Sequence, residues 1–140
     1  MKLSSILLTI LLLFSVSFSE ASVESGNWSA NQEIVWAGLS NAITHGPFTA
    51  YVNASSNVID ISFSMESSTY RFHGDVSGDQ LTGTLFSSSG MGTFETPFSG
   101  QITPDENQIS IRLAWVWSYN GRQDRWVKKT NASETWTFTR

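Results

Sequence analysis

Strict alternation of apolar and polar side chains is the feature that most constrains what this chain can fold into. One parity is apolar or aromatic throughout residues 109–119, at Ile109, Ile111, Leu113, Trp115, Trp117 and Tyr119. Residues 58–65 repeat the pattern, with Ile59, Ile61, Phe63 and Met65 on one face. Because successive side chains of a strand point to opposite faces, a period of two predicts strands with one buried face.

Turn-forming residues separate the alternating runs at intervals of about 8–12 residues. Examples are Gly46-Pro47, Ser77-Gly78-Asp79 and Pro104-Asp105-Glu106-Asn107, and no segment shows a convincing helical period. The sequence therefore predicts an all-β domain, an antiparallel up-and-down meander of seven or eight strands. Closure into a small barrel, which leaves no free strand edge, is favoured over the alternative of a β-sandwich.

The first 21 residues have the pattern of a secretory signal peptide. Lys2 precedes an apolar run over residues 6–14, and Ser19-Glu20-Ala21 meets the small-x-small rule for cleavage. The run is too short to cross a bilayer, which needs about 20 residues. We therefore predict that residues 1–21 are removed and that the chain is secreted, into the medium or a periplasm. In a eukaryotic secretory pathway, three sequons would be glycosylation candidates, at Asn27, Asn53 and Asn131.

Residues 22–47 are the least regular part of the mature chain. Residues 33–38 fit an edge strand, whereas residues 32–42 fit a short helix that caps the barrel, and both interpretations stay open. The antiparallel β domain is predicted to occupy residues 48–140.

Composition excludes several classes of function. The chain has no cysteine, so a secreted domain of this kind relies on packing, and zinc-thiolate, thiol-nucleophile and redox functions are excluded. Eight Lys and Arg against twelve Asp and Glu give a net charge of −4 at pH 7. That balance predicts no nucleic-acid partner and does not favour adsorption to anionic membranes. The mostly polar second face of the strands argues against membrane insertion of the mature chain.

The residue types that carry catalysis show no diagnostic arrangement. His45, predicted in a loop, and His73, predicted to face solvent, lack metal-ligand spacing, and no nucleophile-elbow motif or phosphate-binding glycine loop is present. Four glutamates are predicted near strand ends, turns or polar faces, away from aromatic surroundings: Glu66, Glu95, Glu106 and Glu134. We therefore predict no enzyme, no metal and no cofactor, and a small hydrolase is the least favoured function.

Residues 81–85, Leu81-Thr82-Gly83-Thr84-Leu85, resemble a strand of avidin-type barrels. The tryptophan-rich composition of the C-terminal third is similar to that family as well. The likeness covers one hairpin and implies a barrel fold alone, since none of the family's ligand-contacting residues can be placed on this chain.

Three of the six tryptophans fall in one predicted hairpin. Asn120-Gly121 fits a two-residue type I′ turn. That turn would place four pairs opposite each other: Tyr119 with Arg122, Trp117 with Asp124, Trp115 with Trp126, and Leu113 with Lys128. Opposite residues share a face, so a carboxylate and an ammonium would join the aromatic face, although charges are rarely buried unless paired.

This aromatic face has three possible roles: a packed core, the wall of a ligand cavity, or an exposed platform that stacks on sugar rings. The charges favour the last two, because small-molecule sites are mostly aromatic with a few polar groups. We predict a secreted, non-catalytic binding module for a small apolar or aromatic ligand or a glycan. Its predicted ligand-binding residues are Trp115, Trp117, Tyr119, Asp124, Trp126 and Lys128. The alternative is a secreted protein-interaction domain, an inhibitor or a surface-assembly subunit, that uses an edge strand.

Overall fold

A computed structural model describes residues 23–140, so the predicted signal peptide lies outside the described part of the chain. The strands are β1 Gly26–Trp36, β2 Ile43–Ala54, β3 Val58–Met65, β4 Ser68–Ser77, β5 Gln80–Ser89, β6 Gly92–Ile102, β7 Gln108–Leu113, β8 Val116–Asn120, β9 Arg125–Lys129 and β10 Ala132–Thr139. Eight of them close into an antiparallel barrel in the order β1-β10-β7-β6-β5-β4-β3-β2. The predicted all-β closed barrel is confirmed. No helix in residues 23–140 is long and apolar enough to cross a bilayer.

The region that was hardest to interpret from sequence forms the seam of the barrel. β1 pairs with β10 from Ser29↔Thr139 to Trp36↔Ala132 and with β2 on its other side. It is therefore neither an edge strand nor a capping helix. Its alternation was hard to recognise because its buried face includes the small Ala30 and the polar Gln32.

Aromatic rings fill the barrel interior. Trp136 lies 5.1 Å from Phe63 and 5.7 Å from Phe72 between ring centroids, and Phe72 lies 5.4 Å from Phe138. Each fully buried ring or aliphatic side chain contributes about 1.5–3 kcal/mol through the hydrophobic effect. This continuous core explains how the domain is held together without a disulfide.

The two ends of the barrel differ. At one end, here called the packed end, backbone hydrogen bonds join neighbouring connections: Val76 N donates to Asn57 O at 2.9 Å, Ile102 N to Asp79 O at 2.8 Å, and Arg140 N to Asn107 O at 3.0 Å. The other end, here called the open end, carries residues 37–42, 66–67 and 90–91 and the β8–β9 hairpin, because connections of an antiparallel meander alternate between ends.

The longest predicted strand is interrupted at the open end. β7 stops at Leu113 and β8 begins at Val116, whose side chain is buried although its parity is opposite to that of the predicted apolar face of residues 109–119. After Ala114 N donates to Pro97 O at 3.0 Å, the chain leaves the barrel wall. The break lets the following residues cross the open end instead of extending the wall beyond the core.

Candidate functional site

The β8–β9 hairpin has a longer turn than the sequence predicted. Tyr119 lies opposite Trp126 rather than Arg122, a shift of four residues. The reason is that Asn120 organises the turn from its start: its side-chain oxygen accepts a hydrogen bond from Arg122 N at 3.1 Å, and Asp124 adopts φ of 49°. The predicted two-residue turn and its four pairings are therefore wrong. An even shift keeps each side chain on its predicted face, since strand side chains alternate with period two.

Aromatic contacts hold this hairpin against β6. The ring of Phe94 lies 5.2 Å from Trp117 and 5.0 Å from Trp126, and Tyr119 lies 5.6 Å from Trp126. Trp117 Nε1 also donates to Thr96 Oγ1 at 3.0 Å. Because Thr96 is buried in the barrel, this hydrogen bond holds the hairpin across the open end.

The two charged residues predicted for the aromatic face lie in different places. Lys128 Nζ sits 4.2 Å from the ring centroid of Trp115 and 5.6 Å from that of Trp117, a cation–π arrangement. Asp124 lies in the turn, where its carboxylate accepts a hydrogen bond from the Tyr119 hydroxyl. The six predicted residues are thus brought together, five on the strands or at their base and one in the turn.

A cavity of about 260 Å³ separates the hairpin from the barrel interior. The hairpin contributes Trp115, Trp117 and Trp126 to its wall, and the barrel contributes Tyr70 and Glu134. Within residues 23–140, the Nε1 atoms of Trp115 and Trp126 are buried with no hydrogen-bond partner. Leaving such a donor unpaired costs roughly 1–3 kcal/mol. Both tryptophans line the cavity, although their Nε1 atoms are closed off from it in this conformation.

Glu134 is the only buried carboxylate among the described residues, with 8% of its surface exposed. Both of its hydrogen bonds end on Oε1, one donated by Trp136 Nε1 at 3.0 Å and one by Gln32 Nε2. Oε2 accepts none from the described chain. The side chain lines the cavity, so this oxygen is the acceptor that the barrel can offer to a ligand.

A polar chain links Glu134 to the surface. Gln32 Oε1 lies 3.0 Å from Nδ1 of the exposed His45. The register of β2 slips between the pairs Ala30↔Phe48 and Gln32↔His45, so β2 carries one extra residue there. Such a bulge re-aims the residues beyond it. It places His45, predicted in a loop, on a strand directly opposite Gln32.

The environment of Glu134 corrects the sequence-based expectation. Burial raises the pKa of Glu134 above its usual value of 4.5, against the opposing effect of the hydrogen bonds from Gln32 and Trp136 and the charge of His45. The prediction that this carboxyl lay away from aromatic surroundings was wrong. A signal was available, because residue 134 has the same parity as the inward-facing Trp136 and Phe138.

Glu134→Gln is expected to remove a pH-dependent loss of stability. Below about pH 4.5 the carboxyl is protonated in both states. Above it the unfolded chain releases the proton first, because the folded-state pKa of Glu134 is raised, so the free energy of unfolding falls until the pH passes that value. Urea unfolding across this range should show the wild-type stability declining relative to that of Glu134→Gln. Glu95→Gln, which removes an exposed carboxyl, is the control, and parallel profiles for all three proteins would contradict the assignment.

The second histidine, His73, forms part of a charged cluster with Asp60 and Arg71 on the outer wall of the barrel. His73, predicted to face solvent, is partly exposed and lies 2.8 Å from Asp60, which Arg71 also contacts at 3.0 Å. Although partial burial opposes it, the hydrogen bonds from His73 and Arg71 hold the pKa of Asp60 below its usual range. A concavity of about 490 Å³ lies near this wall. None of the residues that line it has a buried donor without a hydrogen-bond partner. In residues 23–140, no group of three or more His, Asp or Glu side chains is placed to hold a metal ion.

Comparison with known proteins identifies no relative: no family model, curated protein or solved structure matches this chain.

Proposed function

We propose that this protein is a secreted, non-catalytic binding module that holds a small ligand in the cavity between the barrel mouth and the β8–β9 hairpin. The observation that carries the proposal is the pair of buried, unpartnered indole N–H groups of Trp115 and Trp126, two residues that line the cavity. In a packed core, buried donors are nearly always hydrogen-bonded, because an unpaired one lowers the stability of the fold. A ligand with an acceptor atom would pair them once the indole rings turn toward the cavity.

The lining suggests what the ligand looks like. The cavity volume of about 260 Å³ is slightly below the roughly 300–1,000 Å³ of sites for drug-sized molecules, which favours a ligand of about one ring. Aromatic walls suit an apolar or aromatic body, the two indoles require an acceptor, and Oε2 of Glu134 suits a hydroxyl or amine donor. A small ring that carries a hydroxyl group meets all three conditions.

The same features weigh against the other hypotheses. The rings of Trp115, Trp117 and Trp126 are partly buried, which favours a cavity over an exposed platform for long glycans. Every barrel strand is paired on both sides, so among residues 23–140 the free strand edges that a partner could use are those of the two-stranded β8–β9 hairpin. Among residues 23–140, Glu134 is the only carboxylate on the cavity wall, whereas glycoside hydrolysis uses two.

Replacing either indole by a phenyl ring is expected to weaken ligand binding while leaving the fold intact. Trp115→Phe and Trp126→Phe keep an aromatic wall but delete the N–H donors, so each should lower the affinity about 3- to 10-fold, the value of one hydrogen bond. The free energy of unfolding should change by about 1 kcal/mol or less. Loss of buried ring area destabilises the folded state, whereas removal of an unpaired buried donor stabilises it, so the two effects partly cancel. Calorimetric titration with phenol and with methyl β-glucoside measures the affinity.

Trp28→Phe is the matched control for this experiment. Trp28 lies toward the packed end, and its Nε1 donates to Glu24 O at 3.0 Å. The variant should lose some stability and no affinity. If neither probe binds the wild type, or if both cavity variants bind as tightly as the wild type, the proposed site is wrong.

A further inference from the structure

Exposed apolar side chains gather at the open end of the barrel. Six large hydrophobic residues are exposed in residues 23–140, and four of them lie on or beside the connections at this end: Leu39, Ile43, Met91 and Tyr119. We call these four residues the apolar rim. Leu39 is 63% exposed and Met91 60%. Leu39 and Ile43 lie at the β1–β2 connection and Met91 at the β5–β6 connection across the barrel, so the four residues surround the open end. Single exposed hydrophobic residues are ordinary on a protein surface, whereas their concentration at one end favours an interaction site there.

Positive charge collects at the same end. Residues 114–131, which contain the hairpin, carry Arg122, Arg125, Lys128 and Lys129 against the single acid Asp124, a net charge of +3. The other connections of the open end add Glu66, so this end carries a net charge of +2, and the rest of residues 23–140 carries three basic and nine acidic residues, a net charge of −6. The net charge of the whole chain predicted no preference for anionic membranes, but that sum hides the uneven distribution of charge between the two ends. The fold makes the open end a basic, apolar surface on an otherwise acidic molecule.

We propose that the open end docks peripherally on an anionic lipid surface. Apolar side chains flanked by Lys and Arg are the combination that seats a protein in the headgroup region, where apolar tips reach the acyl boundary and the cations meet lipid phosphates. The acidic remainder of the barrel would be repelled, which orients the molecule with its open end down. This inference goes beyond the proposed ligand site and does not require it.

The apolar rim is what favours a lipid over a soluble acidic polymer. Arg and Lys alone would serve either partner, since both attract cations through charge. A solvated acidic polymer offers no surface in which Leu39, Met91 and Ile43 can be buried. A bilayer does, and it meets the loops and the hairpin together because they project from the same end.

Vesicle co-sedimentation tests the proposal on the chain that begins at Ser22, which contains every strand of the barrel. The protein should partition onto vesicles of phosphatidylcholine mixed with phosphatidylglycerol and only weakly onto phosphatidylcholine alone. The double variant Arg122→Gln with Arg125→Gln should lower the partition coefficient about tenfold or more, because each basic residue at an anionic surface is worth about fivefold. Leu39→Ser with Met91→Ser should lower it as well, with an effect that persists at high salt.

Matched variants away from the open end separate docking from bulk charge and bulk hydrophobicity. Arg112→Gln with Arg140→Gln removes the same charge from the barrel wall and the packed end, and Tyr51→Ser removes an exposed ring from the wall. Circular dichroism confirms that each variant is folded. Equal losses for rim and control variants would overturn the proposal. So would absence of vesicle binding by the wild type, whether or not it is retained on immobilised dextran sulfate; retention would identify a soluble acidic polymer as the partner.

Discussion

Gly83→Ala is expected to lower the free energy of unfolding by about 3 kcal/mol or more, or to prevent folding. A Cβ at position 83 would lie 2.0 Å from the carbonyl oxygen of His73 and 2.6 Å from the Cα of Gly74, which is directly opposite on β4. Both obstacles are backbone, so no side chain can rotate away. β4 and β5 would have to separate where they form the barrel wall.

Urea denaturation measures this effect, with Gly90→Ala as the control. A Cβ at position 90 would have no heavy atom within 4 Å, and the residue lies in the exposed β5–β6 connection. Its stability should therefore change by about 0.5 kcal/mol or less. A Gly83→Ala protein as stable as the wild type would mean that β4 and β5 do not approach as closely as the structure has them.

Trp136→Ala is the second large effect, with an expected loss of about 3–5 kcal/mol. The Trp136 side chain is 0% exposed and contacts Phe63, Tyr70 and Phe72 at ring distances of 5.1, 5.8 and 5.7 Å. Its loss opens a large cavity in the core and also removes a donor from Glu134, which stays buried. Both changes destabilise the folded state.

Trp126→Ala is the matched comparison, because it removes the same side chain from the hairpin. Trp126 is only partly buried and lines the cavity, so we expect a loss of about 1–2 kcal/mol. Thermal and urea unfolding of the two variants give the comparison directly. Equal losses would mean that the aromatic face of the hairpin is part of the core, which would also remove the basis of the ligand site.

Sequence reasoning succeeded where the information is local. Alternation over residues 58–65 and 109–113 predicted inward faces that are buried in the barrel, including Ile59, Ile61, Ile109 and Ile111. It also placed Trp117, Tyr119, Trp126 and Lys128 on one face, despite the wrong register. Parity survives a register error of an even number of residues, because a strand repeats every two.

It failed where distant segments decide the environment. Glu134 is buried because β10 closes the barrel against β1, which brings Gln32 beside it across 102 positions of the chain. His45 reaches that pair because of a bulge in β2. Neither of these contacts has a local signature, since a bulge and a strand seam depend on the packing of the whole sheet. Local parity with Trp136 and Phe138 indicates only that the Glu134 side chain points inward.

The sequence by itself determined a disulfide-free chain of alternating strands with an aromatic, partly charged hairpin near its C-terminus. Only the tertiary structure decided that this hairpin leaves the wall after Leu113 and crosses the open end. It also decided that Trp115, Trp126 and Glu134 line one cavity, and that the basic hairpin lies at the same end of the barrel as the exposed Leu39 and Met91. The physical reason is that period two specifies which face a side chain takes, whereas closure of the barrel specifies what that face meets.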